Sequence, residues 1–557
     1  MQGALLKRAR CARPHLFMLS LVAMVVPLAA APGISAIQNA ASNIGPALPN
    51  AAIAQGSIFI IKGSGLGPST LSIAPTPFQS TTLSGTSVSV TVGGTTVNAL
   101  MYYTSDGQVA ALLPSNTPTG TGTFTVTYNG QSVSAGHGIG VSVPGVFTTD
   151  STGAGPAIVT YSDYSLVSSY KASNCGGPNT TCGAANAGDT LILWATGLGP
   201  VNGDDASGAG LGVNMPNLPL KLWIGGAQAQ VIYQGRSGCC VGEDQIVFTV
   251  PNNVPTGCAV PLVVQINNVV SNTTPIPVAA GGRSCNFIDP ATAQVDPAQL
   301  SGTIPLGVPE LDHFVNDSGT GFQDFFQPNF FTFTVPPSVQ PFAGTYLANF
   351  PLGTCSVKTM FGGGSNPAFN NLVPLDAGSS FTITGLKGGM TVSGKPGDQV
   401  PLSSTGAFLV PGDYTLTGTG GKDIGPFSAK INIPPLPTLT SPASPTNFTV
   451  SRSKGLTITW TPNNSSSHVE IQLSSATSVN TRAMLTCTAP VSAGTFTIPD
   501  YVLYGLPTGN GTNFSFQPGD GPGGPATVSS FTATGLVVGL AQSWVDGVGF
   551  GGFSVTN

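Results

Sequence analysis

The residues best suited to chemistry in this sequence are acidic and lie in its second half. Glu310, Asp312 and Asp317 fall in the stretch E-L-D-H-F-V-N-D, and Asp324 follows closely. Two carboxyls about 5 to 10 Å apart in a cleft could cleave a glycosidic bond. The favoured interpretation of this stretch is instead a solvated linker that enters the third domain. The mutual distances of Asp312, Asp317 and Asp324 should distinguish a hydrolase from this alternative.

Carboxylates could also bind calcium in loops between β-sandwiches, because Ca²⁺ prefers oxygen ligands. Two loops offer such groups, N-G-D-D ending at Asp205 and N-D-S-G-T around Asp317. Neither has the full D-x-D-x-D-G spacing of a calcium loop, so polar turns are the favoured interpretation. Asp204, Asp205 and Asp317 are therefore weak calcium candidates.

Motifs for nucleotide binding and nucleophilic catalysis are missing. The glycine-rich segment G-S-G-L-G-P places Pro68 where the dinucleotide fingerprint needs its last glycine, and no helical pattern follows. The sequence contains no G-x-S-x-G, and His137, His313 and His468 lie in segments without a nucleophile motif. We therefore predict no catalytic residue, no cofactor and no firm metal site.

A few polar and aromatic residues allow a binding function. Asp244 and Gln245 follow a cysteine-bearing insertion and could line a binding loop, although a capping role at the start of a strand is favoured. Trp194, Trp223 and Trp460 alternate with apolar neighbours, which predicts core positions. A carbohydrate platform would instead require these rings to be exposed.

The cysteines predict disulfides. Nine are present, and Cys11 would leave with an N-terminal leader, so eight remain. Even numbers in exported chains favour disulfides over zinc, which normally uses C-x₂-C pairs or nearby histidines. Adjacent cysteines rarely bond each other because the peptide between them would be strained. We expect Cys239 and Cys240 to pair with Cys258 and Cys285, one each, and the remaining candidates are Cys175 with Cys182 and Cys355 with Cys487.

The N-terminus predicts export. Four basic residues precede an apolar run over residues 16–28, which is too short to span a bilayer, and Ala29, Ala30 and Ala31 follow. This pattern predicts a signal peptide over residues 1–31, with cleavage after Ala31 or Ala36. No second run of spanning length follows, so we expect a bacterial protein that is secreted or held at the cell surface.

The composition supports an exported all-β chain. Charged residues make up only 7% of the 557 residues, whereas 74 are Gly and 48 are Pro; an average soluble domain has about 25% charged residues. Loss of the four leader cations would leave 13 basic and 22 acidic residues, a net charge of −9. Such a chain lacks the clustered cations that nucleic acid requires, and it has few groups from which to build an active site.

An internal repeat organises the first half. Gly65-Leu-Gly-Pro recurs as Gly197-Leu-Gly-Pro, and both copies continue into β-rich runs around a Gly-Gly pair, as expected for hairpins. Further along, the offset between the copies grows from 132 to 137 residues. The second copy therefore carries five extra residues, in the segment G-R-S-G-C-C-V-G that begins at Gly235. We expect two tandem immunoglobulin-like β-sandwiches arranged as beads on a string.

The second copy resembles a known family over residues 188–278. The segments L-W-A-T-G-L-G-P, W-I-G-G-A-Q-A-Q-V-I-Y and G-C-C-V-G-E-D-Q-I-V-F-T-V-P are similar to the Solibacter-type C-terminal domain, an uncharacterised family of exported acidobacterial proteins related to IPT/TIG immunoglobulin-like domains. The first copy is a more divergent relative that lacks the cysteines. The resemblance implies an extracellular β-sandwich and supplies no catalytic residues.

The second half predicts two more β-sandwiches. Strand-and-turn units fill residues 310–433, and residues 434–446 form a Pro-rich linker. Residues 447–557 carry a Trp on an early strand, somewhat like fibronectin type III, which is a fold-level analogy. With sandwiches at 50–147 and 155–285, this gives four domains after the leader.

The sequence thus predicts a non-enzymatic exported protein of tandem β-sandwiches, acting in binding, adhesion or structure at the cell surface. Its partner would be an unknown extracellular protein or glycan. The alternative is a secreted polysaccharide hydrolase with a carboxylate pair in its C-terminal half.

Overall fold

The computed structural model describes residues 31–172, 181–208, 210–286, 296–315, 322–361, 372–402, 406–444, 447–463, 468–478, 481–519, 526–545 and 548–557. Strands dominate these segments, and the α-helices are α1 (Ala343–Leu347) and α2 (Asp500–Leu503). Short runs in which apolar residues alternate with Thr and Ser form half-buried strands. The predicted all-β class is confirmed.

The first β-sandwich contains eleven strands around one core. Its five-stranded sheet has the order β1-β3-β9-β8-β4 and its six-stranded sheet the order β2-β11-β10-β6-β5, with β7 paired to β6. Phe59 and Phe124 contact edge to face between the sheets. The strands are β1 (Gly33–Asn39), β2 (Ile53–Ala54), β3 (Ile58–Ser64), β4 (Ser72–Ile73), β5 (Thr82–Leu83), β6 (Thr86–Val92), β7 (Thr95–Asn98), β8 (Leu100–Thr104), β9 (Gln108–Leu112), β10 (Gly120–Tyr128) and β11 (Gln131–Gly140).

The second β-sandwich is one nine-stranded sheet folded around its own core. The order is β12-β14-β17-β16-β15-β18-β19, with β13 paired to β14 and β20 to β18. Leu193, Phe248 and Leu262 are fully buried in this core. The strands are β12 (Gly145–Val146), β13 (Val159–Thr160), β14 (Thr190–Thr196), β15 (Leu220–Ile224), β16 (Ala227–Arg236), β17 (Asp244–Thr249), β18 (Gly257–Ile266), β19 (Val269–Val270) and β20 (Thr274–Val278).

The repeated Gly-Gly hairpins form in both sandwiches. β6 pairs with β7 around Gly93 and Gly94, and β15 pairs with β16 around Gly225 and Gly226. All four glycines have positive φ, between 54° and 87°. A two-residue turn with both residues left-handed matches the twist of a hairpin and favours glycine. These predicted hairpins are confirmed.

The described residues of the C-terminal region form twenty strands in four sheets. Their orders are β24-β22-β21-β38-β37, with β27 on β22; β23-β34-β33-β36-β40-β31, with β39 on β36; β26-β25-β28-β29; and β30-β32-β35. The strands are β21 (Gly302–Val315), β22 (Phe322–Val335), β23 (Cys355–Phe361), β24 (Val373–Pro374), β25 (Ser380–Gly385), β26 (Gly388–Ser393), β27 (Val400–Pro401), β28 (Gly412–Gly418), β29 (Phe427–Ile433), β30 (Leu439–Ser441), β31 (Thr449–Ser451), β32 (Leu456–Trp460), β33 (His468–Ser478), β34 (Thr481–Pro490), β35 (Thr495–Ile498), β36 (Gly509–Pro518), β37 (Thr527–Ser530), β38 (Val538–Val545), β39 (Val548–Phe550) and β40 (Phe553–Thr556).

The predicted third and fourth domains are not separate. β21 pairs with β38 in parallel, and β23 pairs with β34 antiparallel, so two sheets cross the expected boundary at residues 434–446. Part of the expected linker is itself a strand, since β30 pairs with β32. The division into 310–433 and 447–557 is therefore wrong. Strand patterns in a sequence do not reveal which distant strand completes a sheet.

The segment just before residue 311 is also part of a strand, β21. β21 lies between β22 and β38, and its Leu311 is fully buried. Pro305 and Pro309 are unusual in a central strand because proline cannot donate to a ladder. The pairing of β21 with β38 skips Val308 and Pro309, which accommodates Pro309.

The sandwiches share buried cores, so the beads-on-a-string prediction is wrong. One core joins the second sandwich to the C-terminal region and includes Cys285, Phe333 and Leu540. Another combines Leu48 from the first sandwich with the core of the seven-stranded sheet. Such cores resist bending because separation would expose apolar surface.

The disulfides differ in part from the expected pattern. Cys258 bonds Cys285, and Cys355 bonds Cys487 from directly opposite positions on β23 and β34. The expectation that the adjacent cysteines reach these partners is wrong, because Cys239 bonds Cys240. Cys182 is also disulfide-bonded, and Cys175, its expected partner, lies outside the described residues.

A chain truncated after Ile433 tests the interleaved topology. It would lose β38 and leave one side of β21 unpaired, so we expect it to aggregate or to bind the dye ANS strongly. Far- and near-ultraviolet circular dichroism would measure the loss of structure. A soluble fragment with native near-ultraviolet signals would show that residues 310–433 do fold as a domain.

Candidate functional site

The acidic residues of the second half lie on the long hairpin of β21 and β22. Asp312 pairs with Phe325, and His313 pairs with Asp324, in adjacent positions of the antiparallel ladder. Paired residues share a face of the sheet, and successive residues alternate between faces. Asp312 and Asp324 therefore point to opposite faces and cannot flank one bond. Asp317 lies outside the described residues.

Asp324 has a structural role on the core-facing side of the hairpin. Its Oδ1 is 2.7 Å from Nδ1 of His313, and its Oδ2 accepts hydrogen bonds from the backbone N–H groups of Phe408 and Leu409. All four residues are buried. The carboxylate thus fixes the 408–409 segment against the sheet.

Glu310 and Asp312 share the other face and form a carboxyl pair. Gln327 lies opposite Glu310, and Trp544 of β38 lies opposite Asp312. Glu310 and Asp312 are two residues apart on one strand, so their Cα atoms are about 7 Å from one another. The expectation of a solvated linker here is wrong, since Asp312 is 1% exposed and Glu310 is half-buried.

Burial shifts the titration of both carboxyls. Desolvation, together with the charge of Asp312, raises the pKa of Glu310 to about 7. Desolvation also raises the pKa of Asp312 to about 6, against a hydrogen bond donated by Gln327 Nε2. A carboxyl with a pKa near 7 can donate or accept a proton at neutral pH. Among the described residues, this pair is the arrangement best suited to acid–base chemistry.

The weak calcium candidates have other roles. Asp204 Oδ1 accepts the backbone N–H of Ala206 at 3.0 Å and caps the 3₁₀ turn Asp205–Ser207. Asp205 is buried, and its carboxylate accepts the N–H and the hydroxyl of Ser115 in the first sandwich, at 2.6 and 3.1 Å. Within the described segments, no group of three His, Cys, Asp or Glu side chains could hold a metal ion.

Asp244 forms a buried ion pair at the junction of the two N-terminal sandwiches. It bonds Arg236, and both side chains are at most 1% exposed. Asp244 Oδ2 also accepts the N–H of Leu198 at 2.9 Å, and Arg236 donates to the carbonyl of Gly199 at 2.7 Å. The pair therefore fixes the repeated G-L-G-P turn. Asp244 is the first residue of β17, as expected, but its side chain joins Arg236 and Leu198 and does not cap its own strand.

The first sandwich lies directly over this ion pair. Gly56 has a φ of 67°, and a Cβ atom there would approach Arg236 Nη2 to 2.1 Å. Thr196 Oγ1 accepts the N–H of Ile58 at 2.9 Å and donates to the carbonyl of Gly242 at 2.6 Å. Only glycine fits at position 56 without displacing the arginine.

The five-residue insertion of the second copy makes the remaining contacts of the junction. Val241 packs with Leu100 and Leu112 of the first sandwich, and its carbonyl accepts the hydroxyl of Tyr102. The repeat offset identified this loop, although not its partner. The sequence patterns did not single out Arg236. It is one of few cations in the chain and lies in the insertion, and these two features mark it as a candidate junction residue.

The tryptophans occupy three different environments. Trp460 is buried in the core of the C-terminal region, as predicted. Trp223 is half-buried and stacks on Tyr501 at 4.5 Å, which joins the second sandwich to the C-terminal region. Trp194 lies half-buried beside the exposed Tyr164 rather than in the core. Gln245 pairs with Trp194 in the sheet ladder.

Comparisons with known proteins identify no relative by sequence: no family model matches the chain, and no curated protein matches it. Similar solved structures include domains 5–6 of the S-layer protein SbsC, with 11% identity over 44% of this chain and 98% of that one and a TM-score of 0.16. The titin Ig tandem domains A164–A165 share 9% identity over 44% of this chain and 96% of that one, with a TM-score of 0.12. SGBP-B from a complex xyloglucan utilization locus in Bacteroides uniformis shares 9% identity over 83% of this chain and 87% of that one, with a TM-score of 0.16.

Substitution of Arg236 by Met tests the junction. It leaves the Asp244 carboxylate buried without its partner, so we expect a loss of about 3–5 kcal/mol in the free energy of unfolding. The double variant R236M/D244L should recover much of this loss because it removes both charges. Guanidinium denaturation would measure both variants. An R236M variant as stable as the wild type would contradict a buried ion pair.

Substitution of Glu310 by Gln tests the carboxyl pair. Because the pKa of Glu310 is higher in the folded than in the unfolded chain, protonation of Glu310 stabilises the fold. This stabilisation is complete below the pKa of the unfolded chain and is lost as the pH rises through about 7. The E310Q variant does not titrate at this position. Its free energy of unfolding should therefore exceed that of the wild type by up to about 3 kcal/mol at pH 8 and by little at pH 5. Thermal unfolding at both pH values would measure the difference.

Asp163→Asn is the matched control for this pH comparison. Hydrogen bonds from the Ser165 side chain and backbone lower the pKa of Asp163 to about 2, so it stays ionised from pH 5 to 8. D163N should therefore change stability equally at both pH values. An equal effect of E310Q at pH 5 and pH 8 would show that Glu310 does not titrate in this range.

Proposed function

We propose that this chain is a non-enzymatic exported protein that acts as a structural and binding module outside the cell. The observation that supports this function best is the junction of the two N-terminal sandwiches, where Arg236 and Asp244 are buried against Gly56. A joint of this kind holds two domains in one fixed orientation. Such a body suits a scaffold or spacer that presents a surface at a fixed distance.

The distribution of charge fits this proposal. The Arg236–Asp244 pair lies inside the junction, and Asp205 connects the two sandwiches through Ser115.

None of the helices in the described segments is long and apolar enough to cross a membrane. The resemblance to exported acidobacterial domains and the N-terminal signal pattern support an extracellular location as part of this proposal.

The alternative function is that of a secreted polysaccharide hydrolase, and one observation favours it. Glu310, with a pKa of about 7, faces the same side as Asp312. Against catalysis, Asp312 is almost wholly covered and Gln327 donates a hydrogen bond to it. A catalytic carboxyl must reach its substrate, so we rank this function second.

Fractionation of the native host, followed by N-terminal sequencing, tests the export on which the proposal depends. We expect the protein outside the cytoplasm, with a mature chain that begins no later than Gly33. β1 begins at Gly33, pairs with β3 and carries the buried Ile37, so cleavage after Ala36 would remove half of a core strand. A cytoplasmic chain that retains residues 1–31 would contradict export.

The same purified protein separates the two candidate functions. We expect no release of reducing sugar from neutral or acidic polysaccharides. Release that is abolished in both E310Q and D312N would favour the hydrolase and contradict the non-enzymatic proposal.

A further inference from the structure

The outer face of the second sandwich carries aromatic and apolar side chains that its core does not use. In β14, Leu191, Leu193 and Ala195 are fully buried, while Ile192 and Trp194 point outward and are half-buried. Trp194 lies beside Gln245, and Ile192 lies beside Val247 of β17. This face is therefore more apolar than an outer face needs to be.

Tyr164 extends this surface at the tip of a tight turn. Its side chain is 66% exposed, its φ is 62°, and its ring lies 6.4 Å from the Trp194 ring at a tilt of 36°. A large aromatic residue rarely adopts a positive φ. Burial of the ring does not explain its presence here, because the ring remains in solvent.

The turn that carries Tyr164 is firmly held. Tyr161, at its base, donates through its hydroxyl to the carbonyls of Gly183 and Ala184, at 3.1 and 3.0 Å. Asp163 Oδ1 accepts the N–H of Ser165 at 2.9 Å, and the N–H of Tyr164 bonds the carbonyl of Tyr161 at 3.0 Å. The ring is thus presented from a fixed backbone, which lowers the entropic cost of binding.

The polar groups beside the two rings are neutral, apart from Asp163 in the turn. The indole N–H of Trp194 donates to Thr160 at 3.1 Å, so the polar group of this ring already has a partner. Gln245 is half-buried, and its amide has no hydrogen-bond partner among the described residues. Asp163 is the nearby charge, and its carboxylate already accepts bonds from Ser165 and Thr181. The ionised Asp163 carboxylate would repel an anionic ligand from this face.

We propose that Tyr164 and Trp194 form a platform that binds a neutral polysaccharide. Sugar rings present C–H faces that stack on aromatic rings and hydroxyls that bond amides such as Gln245. Two rings 6.4 Å apart form a narrow surface, suited to a flat-sided sugar unit rather than to a broad protein interface. The inference names the ligand class for the proposed binding role, and it rests on that role.

Affinity electrophoresis of the purified mature protein tests this platform. Hydroxyethylcellulose, mannan and starch are the neutral probes, and polygalacturonate is the charged comparison. We expect at least one neutral probe to slow the wild-type protein and polygalacturonate to have no effect. Tyr164→Ala should weaken the neutral interaction about tenfold, and Tyr164→Phe should keep it within about twofold, since the ring is retained.

Leu386→Ala is the matched control, because Leu386 is similarly exposed at 71% and belongs to the C-terminal region. It should bind as the wild type does. Far-ultraviolet circular dichroism would establish that Y164A is folded, as expected for so exposed a side chain. Absence of retardation by all three neutral probes, retardation that Y164A leaves unchanged, or equal retardation by polygalacturonate would each overturn the platform.

This test is independent of the localisation experiment. Binding in a gel does not depend on whether the native host exports the chain, so a negative gel result with an exported protein rejects the platform alone. A cytoplasmic chain would reject the proposed function and leave a positive gel result in need of another explanation.

Discussion

The buried ion pair of Arg236 and Asp244 determines how the N-terminal half is assembled. Two charges removed from water are costly unless their geometry is well matched, and here the pair also holds the G-L-G-P turn through Leu198 and Gly199. The first sandwich can cover this pair only because residue 56 is glycine. A buried charge pair adds little stability over an apolar contact, but it penalises every arrangement that leaves one partner alone. The relative orientation of the sandwiches follows from that penalty.

The C-terminal region achieves rigidity by a different route. Its sheets combine strands that are far apart in sequence, and the Cys355–Cys487 disulfide ties two of those strands together. The Cys258–Cys285 disulfide lies in the core that this region shares with the second sandwich. Ordering such distant segments costs loop entropy, which disulfides reduce by restricting the unfolded chain.

Local features of this fold were readable from the sequence, and distant pairings were not. Alternation in Thr86–Val92 and the Gly93-Gly94 pair specify a hairpin from neighbouring residues alone. The change in repeat offset located the insertion that joins the sandwiches. By contrast, the partner of β21 lies in residues 538–545, and no local pattern encodes that choice. The Glu310–Asp312 pair was misread as a linker for the same reason, because its position inside a sheet depends on the pairing of β21 with the distant β38.

The account depends most on the claim that residues 32–557 form one body rather than a flexible string of domains. Small-angle X-ray scattering of a chain comprising residues 32–557, in dilute solution, would test this most directly. We expect a single compact particle whose scattering profile matches the structure from Pro32 to Asn557 and a bell-shaped Kratky plot. A profile that requires an ensemble of sandwiches with variable separation would contradict the buried junction and the shared cores.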